Sequence, residues 1–187
     1  MRIRTICLDM DGVVADWHLQ CARSHGLDLD ELKRKFSERP FGLRKALNMT
    51  TEQLWEPITP AGPAWWFDIP ETPWARKLWN ACRAVAPTYF LTMPSVHPEN
   101  LGDSMLGKYM WLQRFTGDPS FNAYLMGPPK CLCANRHSVL IDDQDDNVRA
   151  FRKAGGMAIL LPSCANSMHT YVGDPCDFVL NSLAEMK

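Results

Sequence analysis

From Arg2 to Leu8 polar and apolar residues alternate before the chain closes on Ile6-Cys7-Leu8 and turns acidic at Asp9. Apolar density that ends abruptly on charge predicts a buried strand whose C-terminal end opens on a polar site. The form recurs along the chain. Thr88 to Leu91 ends at Thr92, Ala123 to Met126 ends at Gly127, and Ser138 to Ile141 ends at Asp142. Two later runs, Met157 to Leu161 and Phe178 to Leu180, complete the predicted strands.

Helical spacing fills the intervals. Thr72-Pro73 offers an N-cap and a first helical residue ahead of Trp74, Leu78, Cys82 and Val85 on one face, and Ala86-Pro87 stops the run. Met105, Tyr109 and Leu112 mark a second helix that Gly117 ends. Asp145 or Asp146 caps a third, through Val148 and Phe151 to Gly155-Gly156. Strands alternating with helices of this length predict an α/β fold, a Rossmann-like, doubly wound parallel sheet with helices on both faces. One stretch breaks the alternation. Between Asp16 and Thr72 the pattern offers helices, including Asp28 to Phe36 and a Thr50/Gln53 capping box, then a turn-rich connector from Glu56 to Pro63, but no strand. Such an insertion after the first strand predicts a small helical cap over one end of the sheet. The core is then 1–15 and 73–187, and the cap 16–72.

Composition narrows the picture. A chain of 187 residues suits one core domain with an accessory cap, and it buries about two-thirds of its unfolded surface without disulfides or metal. Twenty basic and twenty-one acidic side chains leave a formal charge of -1, which disfavours a long nucleic acid as partner. No apolar run approaches the ~18 residues of a membrane span, and Asp9 and Asp11 interrupt the N-terminal one, so neither a signal peptide nor a membrane partner is expected. The seven cysteines read as reduced thiols of a cytoplasmic protein. Cys131 and Cys133, with Cys164 and Cys176 as distant partners, match no zinc spacing. The excess lies in seven Trp and fourteen Pro.

Two acidic clusters carry the candidate chemistry. Asp9 and Asp11, two residues apart beyond a buried strand, face the same way if strand geometry persists, and Gly12 lets the chain turn there. Carboxylates held this close repel unless a cation neutralises them, and oxygen-only ligands point to magnesium. Asp142-Asp143-Gln144-Asp145-Asp146 follows another buried strand. Strand C-terminal ends form the ligand crevice of an open parallel sheet, so both clusters meet at one edge and cage one divalent ion. Thr92 ends its strand in the same manner with a hydroxyl, and Lys130 is the one cation placed among these acids. Each element alone has an ordinary reading: Asp-x-Asp as a turn, Asp145 or Asp146 as a helix cap, Lys130 as a solvated surface residue. Their order, each beside a strand end, is the signal.

In that order the chain resembles the haloacid-dehalogenase-like phosphohydrolases. Asp9 to Val13 looks like their first motif, and Thr92, Lys130 and Asp142-Asp143 match the second, third and fourth. Asp9-Met-Asp-Gly-Val-Val-Ala-Asp-Trp17 is similar to the opening of the 5'(3')-deoxyribonucleotidases, as are Gly107-Lys108-Tyr109-Met110-Trp111-Leu112 and Leu140-Ile141-Asp142-Asp143 to later segments of that family. The chain departs from it at Thr92-Met93-Pro94, where a small hydroxyl residue usually stands at the second position, and it lacks the basic residue often found after the proline.

The resemblance implies a magnesium-dependent phosphatase of small phosphomonoesters, nucleoside monophosphates first. Asp9 would be the nucleophile, forming an aspartyl-phosphate, and Asp11 the general acid and base. Thr92 and Lys130 would stabilise the transferring phosphoryl group. Asp9, the Asp11 backbone carbonyl and Asp142 or Asp143 would hold the metal, the choice between the last two being open. A nucleobase needs a flat apolar slot, for which Trp17 and Phe41 are the leading candidates and Trp65 and Trp66 lesser ones, with Phe67 also in or near the cap; Met93 is the candidate apolar wall facing the sugar 2' position. Trp55 or Trp79 is assigned to core packing. Sugar-phosphate or nucleic-acid-end phosphatases remain alternatives within the fold, and a homodimer is left open. A silent phosphate-binding protein is disfavoured by the intact set. A signalling receiver domain is disfavoured by order, since there the acidic pair comes first and the lysine last.

Overall fold

The structure, a computed structural model, describes residues 2–38, 42–127 and 129–186. Five parallel strands, β1 (Thr5–Leu8), β2 (Thr88–Thr92), β3 (Tyr124–Met126), β4 (Ser138–Asp142) and β5 (Met157–Leu160), form one sheet in the order β3-β2-β1-β4-β5. The register sets Ile6 against Thr88 on one side of β1 and against Val139 on the other, so β1 is central. Alternation sorts its side chains between two faces. Ile6 and Leu8 join Phe90, Val139 and Ile141 in the larger core cluster, whereas Cys7, Leu91, Leu140 and Ala158 meet Val148 and Phe151 on the other face.

Between β1 and the next strand the chain makes α1 (Trp17–Ser24), α2 (Leu29–Glu38), α3 (Leu43–Leu47), α4 (Thr51–Trp55) and α5 (Gly62–Phe67), with no strand among the described residues, and then α6 (Ala75–Val85). The Thr50/Gln53 capping box is present with both of its hydrogen bonds. After β2 comes α7 (Leu101–Thr116), ended by Gly117 in left-handed conformation (φ 70°), then α8 (Asp145–Lys153) before β5 and α9 (Pro175–Glu185) after it. Trp79 of α6 stacks on Phe90 with ring centroids 4.8 Å apart, a core position. Among the described residues no helix is long and apolar enough to cross a membrane, and all seven cysteines are free thiols.

Three local expectations are corrected. The run Phe178 to Leu180 is not a strand but the middle of α9, where Asp174 caps the helix by accepting from Asp177 N and Pro175 opens its first turn. An N-cap aspartate before proline outweighs three apolar residues. Thr72 does not cap α6; its hydroxyl donates to Val13 O at 3.0 Å and ties the helix approach to the loop after β1. Asp145 and Asp146 lie in the first turn of α8, whose N-cap is Gln144 without a side-chain cap bond.

Candidate active site

The β1 ladder continues one residue past the strand. Asp9 N donates to Ile141 O at 2.9 Å, which carries the Asp9 side chain beside the end of β4. The loop then curls about one acceptor, with the amides of Val13, Val14 and Ala15 all pointing at Met10 O. Gly12 makes this turn at φ +75°. From the far side Val13 O accepts from Thr72 Oγ1 and Trp74 Nε1. The loop carrying Asp9 and Asp11 is thus held from both ends.

Asp9, Asp142 and Asp143 come together, each offering an oxygen within 4.8 Å of the others. Their environments differ. Asp142 is fully engaged, accepting from Lys130 Nζ at 2.6 Å, from Gln144 N at 2.8 Å and from Asn147 Nδ2 at 3.2 Å to each oxygen. Among the described residues the Asp143 carboxylate accepts only from Gln144 Nε2, at 3.3 Å, and its Oδ1 is buried without a partner. A buried acceptor left unpaired costs about 1–3 kcal/mol, more for a charged group. Burial, first, and the neighbouring carboxylates push Asp143 well above the ordinary carboxylate range. Burial likewise lifts Asp9 to about 7, against Lys130 and with Asp142 and Asp11. Three hard oxygen donors crowded together, one with an orphaned oxygen, fit a divalent cation such as magnesium.

Lys130 follows Pro129 in a short 3-10 turn and is buried between the strand ends, 2.6 Å from Asp9 Oδ1 and 2.6 Å from Asp142 Oδ2. Burial opposes its charge, but the two carboxylates outweigh that and hold the ammonium above the usual lysine range. It is not the only cation here. Lys108 of α7 is 1% exposed, and its Nζ lies 2.5 Å from Asp11 Oδ2 and 3.3 Å from Thr92 Oγ1 while also donating to Met93 O. In the sequence Lys108 lies within a helical pattern that marks no role for it. The signal was Gly107 before it. A Cβ on Gly107 would lie 2.4 Å from both Pro63 O and Trp66 Cβ, so only glycine lets α7 press against α5 and bring Lys108 over the strand ends.

A cavity of about 490 Å³ opens from these groups toward the inserted helices. Trp17 and Met93 line it, as do His18, Arg44, Trp55 and Trp66, so one rim follows β2 and the other comes from the helices between β1 and α6. Burial holds His18 below the ordinary histidine range, against the pull of Asp16 and Asp11. Two assignments change. Trp65 does not line the cavity: it is 6% exposed, and its indole donates to Ser24 Oγ at 2.7 Å. Trp55, open to a core role in sequence, lines it instead, 6.2 Å from Trp66 and 6.4 Å from Trp17 by ring centroids. Neighbouring positions on a helix point different ways, and single-residue register is what composition cannot give. Phe41 lies outside the described residues, and Phe67 is absent from the cavity lining.

No protein-family model matches the chain, and no curated protein sequence matches it. Solved structures do. A hydrolase from Pseudomonas syringae superposes with a TM-score of 0.59 at 17% identity, covering 100% of each chain. A haloacid dehalogenase-like family hydrolase from Xanthomonas campestris gives 0.55 at 12% identity, covering 98% of this chain and 93% of that one. A haloacid dehalogenase-like family protein from Streptococcus pneumoniae gives 0.51 at 15%, covering 99% of each. At these identities the likeness is one of fold: the chain shares the Rossmann-like α/β architecture of these structures.

Proposed function

We propose that this protein is a magnesium-dependent phosphomonoester hydrolase that works through an aspartyl-phosphate on Asp9 and acts on nucleoside monophosphates. The observation that carries the reading is the pairing of Asp9 with the orphaned Asp143 Oδ1, a buried carboxylate beside a vacant acceptor, under a cavity that ends in aromatic rings. The naming of fold neighbours as hydrolases supports it.

Magnesium, held by Asp9, Asp143 and the Asp11 backbone, would neutralise the repulsion between carboxylate and phosphate. Asp9 attacks phosphorus, and Asp11 gives a proton to the leaving ester oxygen, then takes one from the water that hydrolyses the intermediate. Lys130 keeps Asp9 aimed by its bond to Oδ1 and draws charge from the transferring phosphoryl oxygens, which Thr92 also contacts. Trp17 and Trp55, the partly exposed rings of the cavity lining, would stack on a base, a contact worth ~1–3 kcal/mol. Met93 is an apolar wall with no donor, where a ribose 2'-hydroxyl would lose water without a partner, so deoxynucleotides are favoured. A cytoplasmic location and a small-molecule partner belong to the same reading.

The test is phosphate release from deoxy- and ribonucleoside monophosphates, sugar phosphates and an aryl phosphate, with wild type and Asp9→Asn. Wild type should release phosphate in magnesium and fall silent in chelator. Asp9→Asn should fold normally and turn over nothing. Activity within tenfold of wild type in Asp9→Asn sinks the nucleophile. Preference for sugar phosphates over nucleotides sinks the substrate class alone.

A further inference from the structure

Lys108 is a buried lysine with a bond for each of its three hydrogens: one to Asp11 Oδ2, one to Thr92 Oγ1 and one to Met93 O. Its ammonium also lies 5.4 Å from the centroid of the Trp66 ring, within cation–π range. The consequences for its partners are directional. Asp11 has one oxygen fixed by Lys108, and the other, Oδ1, is buried and has no partner. Thr92 Oγ1 accepts from Lys108, so the hydroxyl hydrogen must point away from the ammonium. A hydroxyl that accepts from a cation is a better donor on its other side.

We infer that Lys108 is a positioning residue that orients the general acid Asp11 and the donor Thr92 together, setting Asp11 Oδ1 as the oxygen that exchanges the leaving-group proton. Lys130, bridging Asp9 and Asp142, performs the parallel task for the nucleophile. The site thus divides its two lysines between its two reacting carboxylates. The inference rests on the proposed phosphatase reading and deepens it. It also ties the acid to the insertion, because Trp66 of α5 forms one wall around the ammonium and Gly107 sets how closely α5 approaches. No bond to substrate is required of Lys108; it acts through Asp11 and Thr92.

The experiment compares two esters of similar size and different leaving-group basicity, phenyl phosphate and 4-nitrophenyl phosphate, in wild type, Lys108→Met, Lys108→Arg, Asp11→Asn and the Asp11→Asn/Lys108→Met double variant. A residue that only holds the fold lowers turnover on both esters alike. Lys108→Met should lose about a hundredfold in kcat on phenyl phosphate and at least about tenfold less than that on 4-nitrophenyl phosphate, with KM within about threefold. In the Asp11→Asn background the same substitution should cost under about threefold, because residues acting as a unit are not additive. Lys108→Arg should recover most of the lost turnover. The double variant removes both charges and leaves no lone buried ion, so it reports on coupling even where Lys108→Met folds poorly. Equal losses on the two esters, or an additive cycle, overturns the inference while phosphatase activity stands. A wild type that hydrolyses neither ester overturns the phosphatase reading and this inference with it.

Discussion

A Cβ added to Gly12 would lie 2.3 Å from Oδ2 of Asp143, well inside van der Waals contact. The loop that carries Asp9 and Asp11 is therefore pressed directly against the acid whose other oxygen has no partner. Gly12→Ala should cost about 1–2 kcal/mol for the left-handed backbone alone, and it should displace Asp143. Thermal unfolding reads the first effect and calorimetric magnesium titration the second. Magnesium affinity equal to wild type would break the link between loop and metal.

The paired acids at the end of β4 should respond oppositely to the same substitution. Asp142→Asn weakens its hold on Lys130 and should destabilise the protein by about 2–3 kcal/mol in chelator. Asp143→Asn removes an unpaired charge and should leave the melting temperature in chelator unchanged or higher, yet abolish its rise with magnesium. If magnesium still stabilises Asp143→Asn, the metal is held elsewhere.

Asp9 gives a pH signature. Its folded-state pKa of about 7 stands above its ordinary value of 3.8, so between those values the folded chain holds a proton that the unfolded chain has released. Stability is then gained as pH falls through this window and lost as pH rises through it. In chelator, melting temperature should decline from pH 5 to pH 8, and Asp9→Asn should flatten that slope. Magnesium competes with the proton, so its stabilising effect should be larger at pH 8 than at pH 5. A wild-type slope identical to that of Asp9→Asn would remove Asp9 as the source.

Two tryptophans of the insertion region separate binding from folding. Trp17→Ala should lower kcat/KM for nucleotides by ~1–3 kcal/mol, about five- to a hundredfold, and spare a small aryl phosphate. Trp65→Ala, at a buried and hydrogen-bonded position, should cost ~3–5 kcal/mol of stability and affect all substrates together. Uniform losses for Trp17→Ala would assign that ring to packing.

The sheet was legible because its strands announce themselves at both ends, apolar within and charged or hydroxylic beyond. Asp9, Thr92 and Asp142 were found by that boundary. The order of those boundaries also brought Lys130 to the acids. Lys108 escaped because its one local signal, Gly107, has meaning only once the helix it packs against is known. Its burial depends on a glycine one residue earlier and on a tryptophan contributed by a separate helix. The rings divided for the same reason. Trp65 and Trp66 are adjacent in sequence, and which of them meets the cavity follows from how α5 seats on α7, a relation between elements distant along the chain. Residues 178–180 misled because short apolar runs do not distinguish strand from helix, and the evidence sat upstream at Asp174-Pro175.

β1 lies in the middle of the sheet, bonded on both sides, while β3 and β5 form its edges. Amide hydrogens at such a centre exchange only when the whole domain unfolds. The helices α3 and α4, five residues each, are too short to persist by their own hydrogen bonds and depend on their packing. Their amides should exchange through local opening, long before those of Ile6 to Leu8. The acids thus stand at the end of a backbone expected to exchange slowly, and Arg44 and Trp55, across the cavity, on short helices expected to exchange sooner. Local opening of α3 and α4 would then leave the spacing of the carboxylate cluster, anchored at the ends of β1 and β4, unchanged.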